Sequence, residues 1–189
     1  MYLAPILPEF AALYPDIAFD LDLTPRNVDL VAEPFDLAVR MAVPEAGSLV
    51  SRVIGRISAQ LFASPGYLVT HGELGHPADL ERHVCLTMQS RRSWTLHRET
   101  ETFEANVAGR FVANGVSLLR RLAVEDQGIV FLPRRAVEDE LASGRLVEVL
   151  PDWRSSPQPI HAVTATRLLP ARTQRFIEFI RDKLVTDVG

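Results

Sequence analysis

The stretch A-N-G-V-S-L-L-R-R-L-A-V-E-D-Q-G-I-V-F-L-P, Ala113 to Pro133, decides the fold. It predicts the end of a strand, a small polar loop, one amphipathic helix, a glycine stop and a short apolar strand. In α/β folds, ligands bind at such loops, beyond the carboxyl ends of the strands. Asn114 and Gly115 stand in this loop, and the unpaired N–H groups of the following helix favour a carboxylate or another anion. The stretch has no nucleophile, paired-carboxylate or metal-ligand pattern, so it predicts binding rather than catalysis.

The flanking segments alternate between helical and strand patterns. Before the opening stretch they predict a helix over 4–14, a strand with one solvated face over 17–23, a short helix over 27–33 capped by Asn27, a strand over 35–42, a β-rich run over 49–63, a helix from Pro65, a short helix from His76-Pro77, and strands around 84–88, 94–99 and 103–113. After it they predict a helix ended by Gly144, a strand over 145–150, a proline-rich loop over 151–159, a strand from Ile160 and a last helix over about 170–185. This alternation predicts an α/β protein with mainly parallel sheets.

Composition limits the classes of function. The chain has 189 residues, of which 47% are hydrophobic and 23% charged, with a formal net charge of −4. This net negative charge does not indicate nucleic-acid binding. Cys85 stands alone, so a disulfide framework is excluded. The sequence has neither an apolar run of about 18 residues nor a signal-peptide pattern, so we expect a soluble, cytoplasmic protein.

Residue types that often carry chemistry form no recognisable site. The spacings of His71, His76 and His83 match no metal-ligand pattern, and Cys85 lies within an apolar strand, where it packs as a small hydrophobe. We therefore expect no metal, no cofactor and no catalytic residue. The arginine pairs lie among as many acids, which indicates solvated faces or subunit contacts rather than phosphate sites; these pairs are Arg91-Arg92, Arg120-Arg121 and Arg134-Arg135.

A set of motifs runs through nearly the whole chain. In order they are F-D-L-A-V-R-M, L-F-A-S-P-G-Y-L, H-P-A-D-L, V-A-N-G-V-S-L-L-R-R-L-A-V-E-D-Q-G-I-V-F-L-P, G-R-L-V-E-V-L-P-D-W and L-P-A-R-T-Q-R-F-I-E-F-I. Each motif is weak alone, but together, in this order and spacing, they are specific. With them the chain resembles the effector-binding domain of LysR-type transcriptional regulators, which has the type 2 periplasmic-binding-protein fold.

The resemblance implies a two-lobed α/β fold with a cleft that takes a small effector. Two antiparallel crossover strands join the lobes, near Ser58–Ala63 and Ile160–Thr166. Lobe one is then about 1–60 plus 167–189, and lobe two is about 61–166. Family members begin with a winged helix-turn-helix and a linker helix, which this sequence lacks; the strand before the first helix is also missing or reduced. We therefore expect no operator binding by this chain alone.

Candidate effector contacts follow from the motifs and the resemblance. Arg40 ends a strand where the family fold opens into the cleft, and its alternative role is an ion pair with Asp36. Asn114 and Gly115 provide the helix start, against the alternative of a simple helix cap. Loop hydroxyls and apolar walls complete the set, and all of it suits a small organic acid; these residues are Thr24, Thr87, Met41 and Val116.

The resemblance also implies assembly. Helices around Asn27–Glu33 and Ser117–Gln127 have limited polar cover, and in this family such helices pair around a two-fold axis to give a homodimer. The residues available for that contact are Val28, Val31, Leu118 and Leu122. Two other classes stay open at this point, since the fold alone does not decide function. They are a solute-binding protein of a transport system and an enzyme on the same fold.

Overall fold

The structure is a computed structural model that describes residues 3–24, 29–41, 49–88 and 93–184. The chain divides into a central unit, residues 58–157, and a terminal unit, which holds the residues before 58 and after 157. The resemblance placed the second boundary at 166. Residues 158–166 instead belong to the terminal unit, because Gln158–Thr164 is the middle strand of its sheet.

Local signals set most element boundaries. The Ser64 hydroxyl accepts a bond from the Tyr67 N–H, and His76 forms a capping box with Asp79, so helices begin at both predicted places. The described elements, in chain order, are α1 (Ile6–Leu13), β1 (Ala38–Arg40), β2 (Val50–Ile57), β3 (Ala59–Ala63), α2 (Pro65–His71), a 3-10 helix (Pro77–Arg82), β4 (Cys85–Met88), β5 (Ser93–Arg98), β6 (Glu101–Asn106), β7 (Val112–Ala113), α3 (Val116–Val124), β8 (Ile129–Pro133), a second 3-10 helix (Arg134–Val137), α4 (Glu138–Ala142), β9 (Val147–Arg154), β10 (Gln158–Thr164) and α5 (Ala171–Leu184).

The terminal unit packs two helices on an antiparallel sheet. Its described strands lie in the order β1-β10-β2. Helix α5 comes so close to β2 that a Cβ on Gly55 would lie 2.8 Å from the Leu184 Cβ, so this position requires glycine. One face of α5 enters the core of this unit, whose buried members are Ile6, Ile54, Ile57, Ile160, Ala162, Ile177, Ile180 and Leu184.

The central unit is mainly antiparallel. Its described strands lie in the order β6-β5-β9-β3-β8-β4-β7, and among these pairings only those of β4 with β7 and β8 are parallel. The prediction of mainly parallel sheets is therefore wrong. Strands β5 and β6 form a hairpin, and β3 runs antiparallel to both its neighbours. Alternation of helices and strands along a sequence carries no information on which strands become neighbours.

The predicted strand over residues 17–23 is wrong. They pair with no strand among the described residues, and the exposure of their side chains alternates only over residues 17–20. Ile17 and Phe19 are half-buried, and the Phe19 ring lies 5.2 Å from the Phe176 ring. Leu21 and Leu23, farther along the same face, are 52% and 71% exposed. Alternation sets the faces of a strand, but a strand also needs a backbone partner.

Two other predictions differ in extent. Part of the predicted helix over 27–33 lies outside the described residues; residues 30–33 form turns and a bend, with the Asp29 carboxylate accepting from the Val31 N–H at 2.9 Å. The predicted loop over 151–159 is shorter, because β9 continues to Arg154. Trp153 anchors that extension: it is 3% exposed and lies under the Arg98 guanidinium at 4.7 Å.

Candidate functional site

Parallel strands bring Thr87 beside the loop that precedes α3. Thr87 pairs with Val112 and Met88 with Ala113, so β4 and β7 end at the same edge of the sheet. The Thr87 N–H donates to the Phe111 carbonyl at 3.3 Å. This edge is where ligands bind in α/β folds, because side chains and helix starts converge there.

The Thr87 side chain is 5% exposed. Its hydroxyl is a neutral donor at this edge of the sheet.

Helix α3 begins without a side-chain cap among the described residues. Its N-cap is Gly115, in ordinary extended conformation (φ −122, ψ 125), and a Cβ built there meets no atom within 4 Å. Neither Asn114, which is exposed, nor Ser117 bonds to the first turn. Gly115 is thus the N-cap residue, and Asn114 adds no side-chain cap. The N–H groups of the first turn lie at the positive end of the helix dipole and have no side-chain cap.

Apolar contacts hold α3 in this place. Leu119 and Ala123 are buried against the sheet, and Val116 packs partly buried beside them. On its other side α3 is tied to the segment after β8, since the Arg120 guanidinium donates to the Ala136 carbonyl at 3.1 Å and lies 3.6 Å from the buried Glu140 carboxylate. The start of the helix is thus presented by a rigid support.

The other candidate contacts lie in the terminal unit. Arg40 is half-buried at the last position of β1, opposite His161 of β10, and Met41 follows it at 53% exposure. The Asp36 carboxylate, the alternative partner of Arg40, lies 3.7 Å from Arg172. Thr24 is exposed, and its hydroxyl donates to the Asp22 carboxylate at 2.6 Å, so its proton is used locally.

The residues predicted for dimer contacts differ in exposure. Val31 is 67% and Leu118 is 55% exposed. Leu122 is half-buried and packs against the core under α3, whereas Val28 lies outside the described residues. The structure thus leaves Val31 and Leu118 as exposed apolar side chains.

Other side chains that could take part in chemistry have structural roles. Burial raises the pKa of the Cys85 thiol to about 12, which removes it as a nucleophile near neutral pH. Tyr67 bonds to His83 at 3.2 Å and stacks on His71 at 4.2 Å. Burial lowers the pKa of His83, which favours the neutral ring. Among the described residues, no group of His, Cys, Asp and Glu could hold a metal ion.

Sequence reasoning missed two features. One is a groove of about 900 Å³ between the β5–β6 turn and the end of β9; several of its polar groups pair with one another, as Arg98 does with Glu101 at 2.6 Å. The other is His161, 6% exposed, whose Nε2 has no hydrogen-bond partner among the described residues. No sequence signal distinguishes His161 from a core histidine, because its state depends on residues of β1 and β2.

A family model for the LysR substrate binding domain matches residues 1–185. The chain belongs to this family. A relative from Haemophilus influenzae, an uncharacterized HTH-type transcriptional regulator, is 32% identical over 170 residues, which cover 88% of this chain and 59% of the relative. The chain thus spans less than two thirds of that relative's length.

Solved structures agree with the family assignment. The regulatory domain of CrgA, a LysR-type transcriptional regulator from Neisseria meningitidis, has a TM-score of 0.85 at 26% identity, with 96% of this chain and 91% of that chain covered. The regulatory domain of AphB from Vibrio vulnificus has a TM-score of 0.74 at 31% identity, with coverage of 95% and 90%.

These findings confirm the two-lobed periplasmic-binding-protein-like α/β fold. The LysR-type domain is an effector-binding domain of a family of transcriptional regulators, which is not a family of enzymes. The enzyme and transport alternatives are thereby set aside. Among the described residues, no helix combines the length and the apolarity needed to cross a bilayer.

Proposed function

We propose that this LysR-type domain senses a small organic acid. The observation that carries the proposal is the start of α3, where Gly115 leaves the first N–H groups without a side-chain cap, at the sheet edge that holds Thr87. Helix N–H groups and the helix dipole both favour an anion. Asn114, exposed next to Gly115, is a further donor for the same oxygen atoms.

Arg40 is the cation of the proposed site. A guanidinium matches a carboxylate in charge and in bidentate geometry, which makes it a better partner for an acid than for a sugar or a cation. Met41 and Val116 are proposed as apolar walls, and Thr24 as a peripheral hydroxyl. The inter-lobe cleft, which the family resemblance implies, is proposed as the place where these groups meet the acid.

The test is a thermal-shift screen of metabolites followed by calorimetry on variants. For the best carboxylate, we expect Arg40→Ala to weaken binding by about 1.5–3 kcal/mol, the range for hydrogen bonds to charged groups. Asn114→Ala should cost less, about 1 kcal/mol, because backbone donors remain. Arg56→Ala is the matched control, since it removes an exposed arginine of β2 and the same charge.

Two results would contradict this site. The first is a best ligand that proves to be a cation. The second is an acid whose affinity is equal in Arg40→Ala and Arg56→Ala, which would show that only overall charge matters.

Binding without chemistry fits a regulator, because an effector acts by binding two conformations with different affinity. We further propose that the domain forms a homodimer through the surfaces that carry Val31 and Leu118, with Val28 and Leu122 beside them. Contact with DNA then requires a helix-turn-helix such as the names of the relatives indicate. Such a regulator works in the cytoplasm, where its operator lies.

A further inference from the structure

One face of the terminal-unit sheet carries a row of polar side chains. In the register of the three described strands, Arg40 lies opposite His161, and His161 lies opposite Val53. Directly opposed residues point to the same face of a sheet, with Cβ atoms about 4.5–5.5 Å apart. The neighbouring residue Ala162 is buried in the core beneath α1 and α5. Since side chains alternate, Arg40 and His161 lie on the face away from these helices.

His161 is held on this face by one hydrogen bond. Its Nδ1 lies 2.8 Å from the hydroxyl of Ser51, which stands diagonally across β2. Its Nε2 is closed to solvent and has no partner among the described residues. An unpartnered polar atom in a ring that is 6% exposed is a destabilising arrangement and calls for an explanation.

The chemistry of the unpartnered atom depends on the tautomer of the ring. In the tautomer that accepts from the Ser51 hydroxyl at Nδ1, the ring proton resides on Nε2, which is then an N–H donor without an acceptor. The opposed cation Arg40 disfavours a metal ion or an organic cation on this face. Together a guanidinium and an N–H donor match the oxygen atoms of a carboxylate. Ser51 and Val53, which lie beside the ring on β2, are exposed.

We propose that His161 binds the effector: its Nε2–H donates to the carboxylate that Arg40 holds, and Ser51 is a positioning residue that selects this tautomer. This inference rests on the proposed function, since it takes the effector to be an organic acid. It adds a contact from β10 that the motifs do not indicate.

Nuclear magnetic resonance tests the contact on the unaltered chain. The imidazole nitrogens and the Arg40 Nε–H are observed while sodium acetate, and in a separate series sodium benzoate, is added; sodium chloride at equal ionic strength is the control. The chain has five histidines, and the signal lost in His161→Gln assigns the ring. We expect a saturable shift of the His161 Nε2 with either acid and none with chloride. Ser51→Ala should change the ratio of the ring tautomers before any acid is added.

The outcomes separate the two proposals. A response of Arg40 with a silent His161 overturns the His161 contact and leaves the acid-sensing function standing. Silence of both signals with both acids overturns the Arg40 site as well. A shift equal in acetate and chloride overturns the carboxylate contact.

Variants of His161 give an independent measure of its proposed contact with the carboxylate. His161→Phe fills the ring volume without a donor, and His161→Asn places its amide near Nδ1; both should weaken benzoate binding about tenfold or more. His161→Gln places an amide near Nε2 and should restore most of the affinity. Equal affinities in the Gln and Phe variants, both folded by circular dichroism, would show a merely structural role.

Discussion

At the scale of single residues, a substitution at Gly115 should change ligand binding without harming the fold. The backbone there needs no glycine, and a Cβ meets open space. Gly115→Asp therefore adds a side-chain cap to α3 and should stabilise the fold by about 0.3 kcal/mol. The new carboxylate occupies the N–H groups proposed for the effector and repels an acid, so affinity should fall about tenfold or more. Thermal unfolding and calorimetry measure the two effects.

Gly115→Ala is the control for that change. It adds volume without charge, so the affinity for the acid should stay near that of the unaltered chain. Alanine is a poorer N-cap residue than glycine, so the stability should fall by about 0.5 kcal/mol. Should Gly115→Asp bind the acid as well as Gly115→Ala does, the helix start is not part of the site.

At the scale of elements, the position of β4 depends on the close approach of the backbone at Gly109. A Cβ on Gly109 would lie 2.1 Å from the carbonyl oxygen of Cys85, and the Cys85 N–H donates to the adjacent Ala108 carbonyl at 2.8 Å. Gly109→Ala must displace this strand, so we expect a loss of about 1–3 kcal/mol in the free energy of unfolding. Urea denaturation measures it.

Gly75→Ala is the matched control, because the nearest atom to its Cβ is 3.9 Å away. It should unfold at the same urea concentration as the unaltered chain. Equal midpoints for the two variants would mean that β4 shifts without cost and that the site edge is not rigid.

At the scale of the whole molecule, the exposed apolar side chains bear on assembly. If Val31 and Leu118 are buried between two copies, light scattering should give twice the chain mass of 21.1 kDa. Val31→Asp and Leu118→Asp should each give monomers, because a buried unpaired charge is costly. Val69→Asp, at an 88% exposed position on α2, is the control that should leave the dimer intact. A 21.1 kDa particle of the unaltered chain at tens of micromolar would refute the dimer.

The net charge of the whole molecule bears on its binding to DNA. The net charge is −4, and affinity for DNA depends largely on neutralising phosphates. This chain alone should therefore retain no promoter fragment in a gel-shift experiment at any salt concentration. Sequence-selective, salt-sensitive retention would contradict the expectation that contact with DNA requires another domain.

The candidate site shows how far sequence reasoning reaches. Placing Asn114 and Gly115 before a helix needed only periodicity and the polar loop, and the structure has Gly115 at that helix start. The family followed from ordered motifs, since each encodes a local element. Arg40 was expected at a strand end and stands there. The unpartnered Nε2 of His161 was out of reach, because it depends on Arg40 and Ser51, which are distant in sequence.

The sequence by itself determined most of the helices and the family, because caps, glycine stops such as Gly144 and apolar periodicity act within a few residues. Only the tertiary structure decided that the sheets are mainly antiparallel, that residues 17–23 pair with no described strand, and that β10 belongs to the terminal unit. These features depend on which backbone lies alongside which. That choice is made by burial and hydrogen bonding between segments far apart in the chain, and no local pattern encodes it.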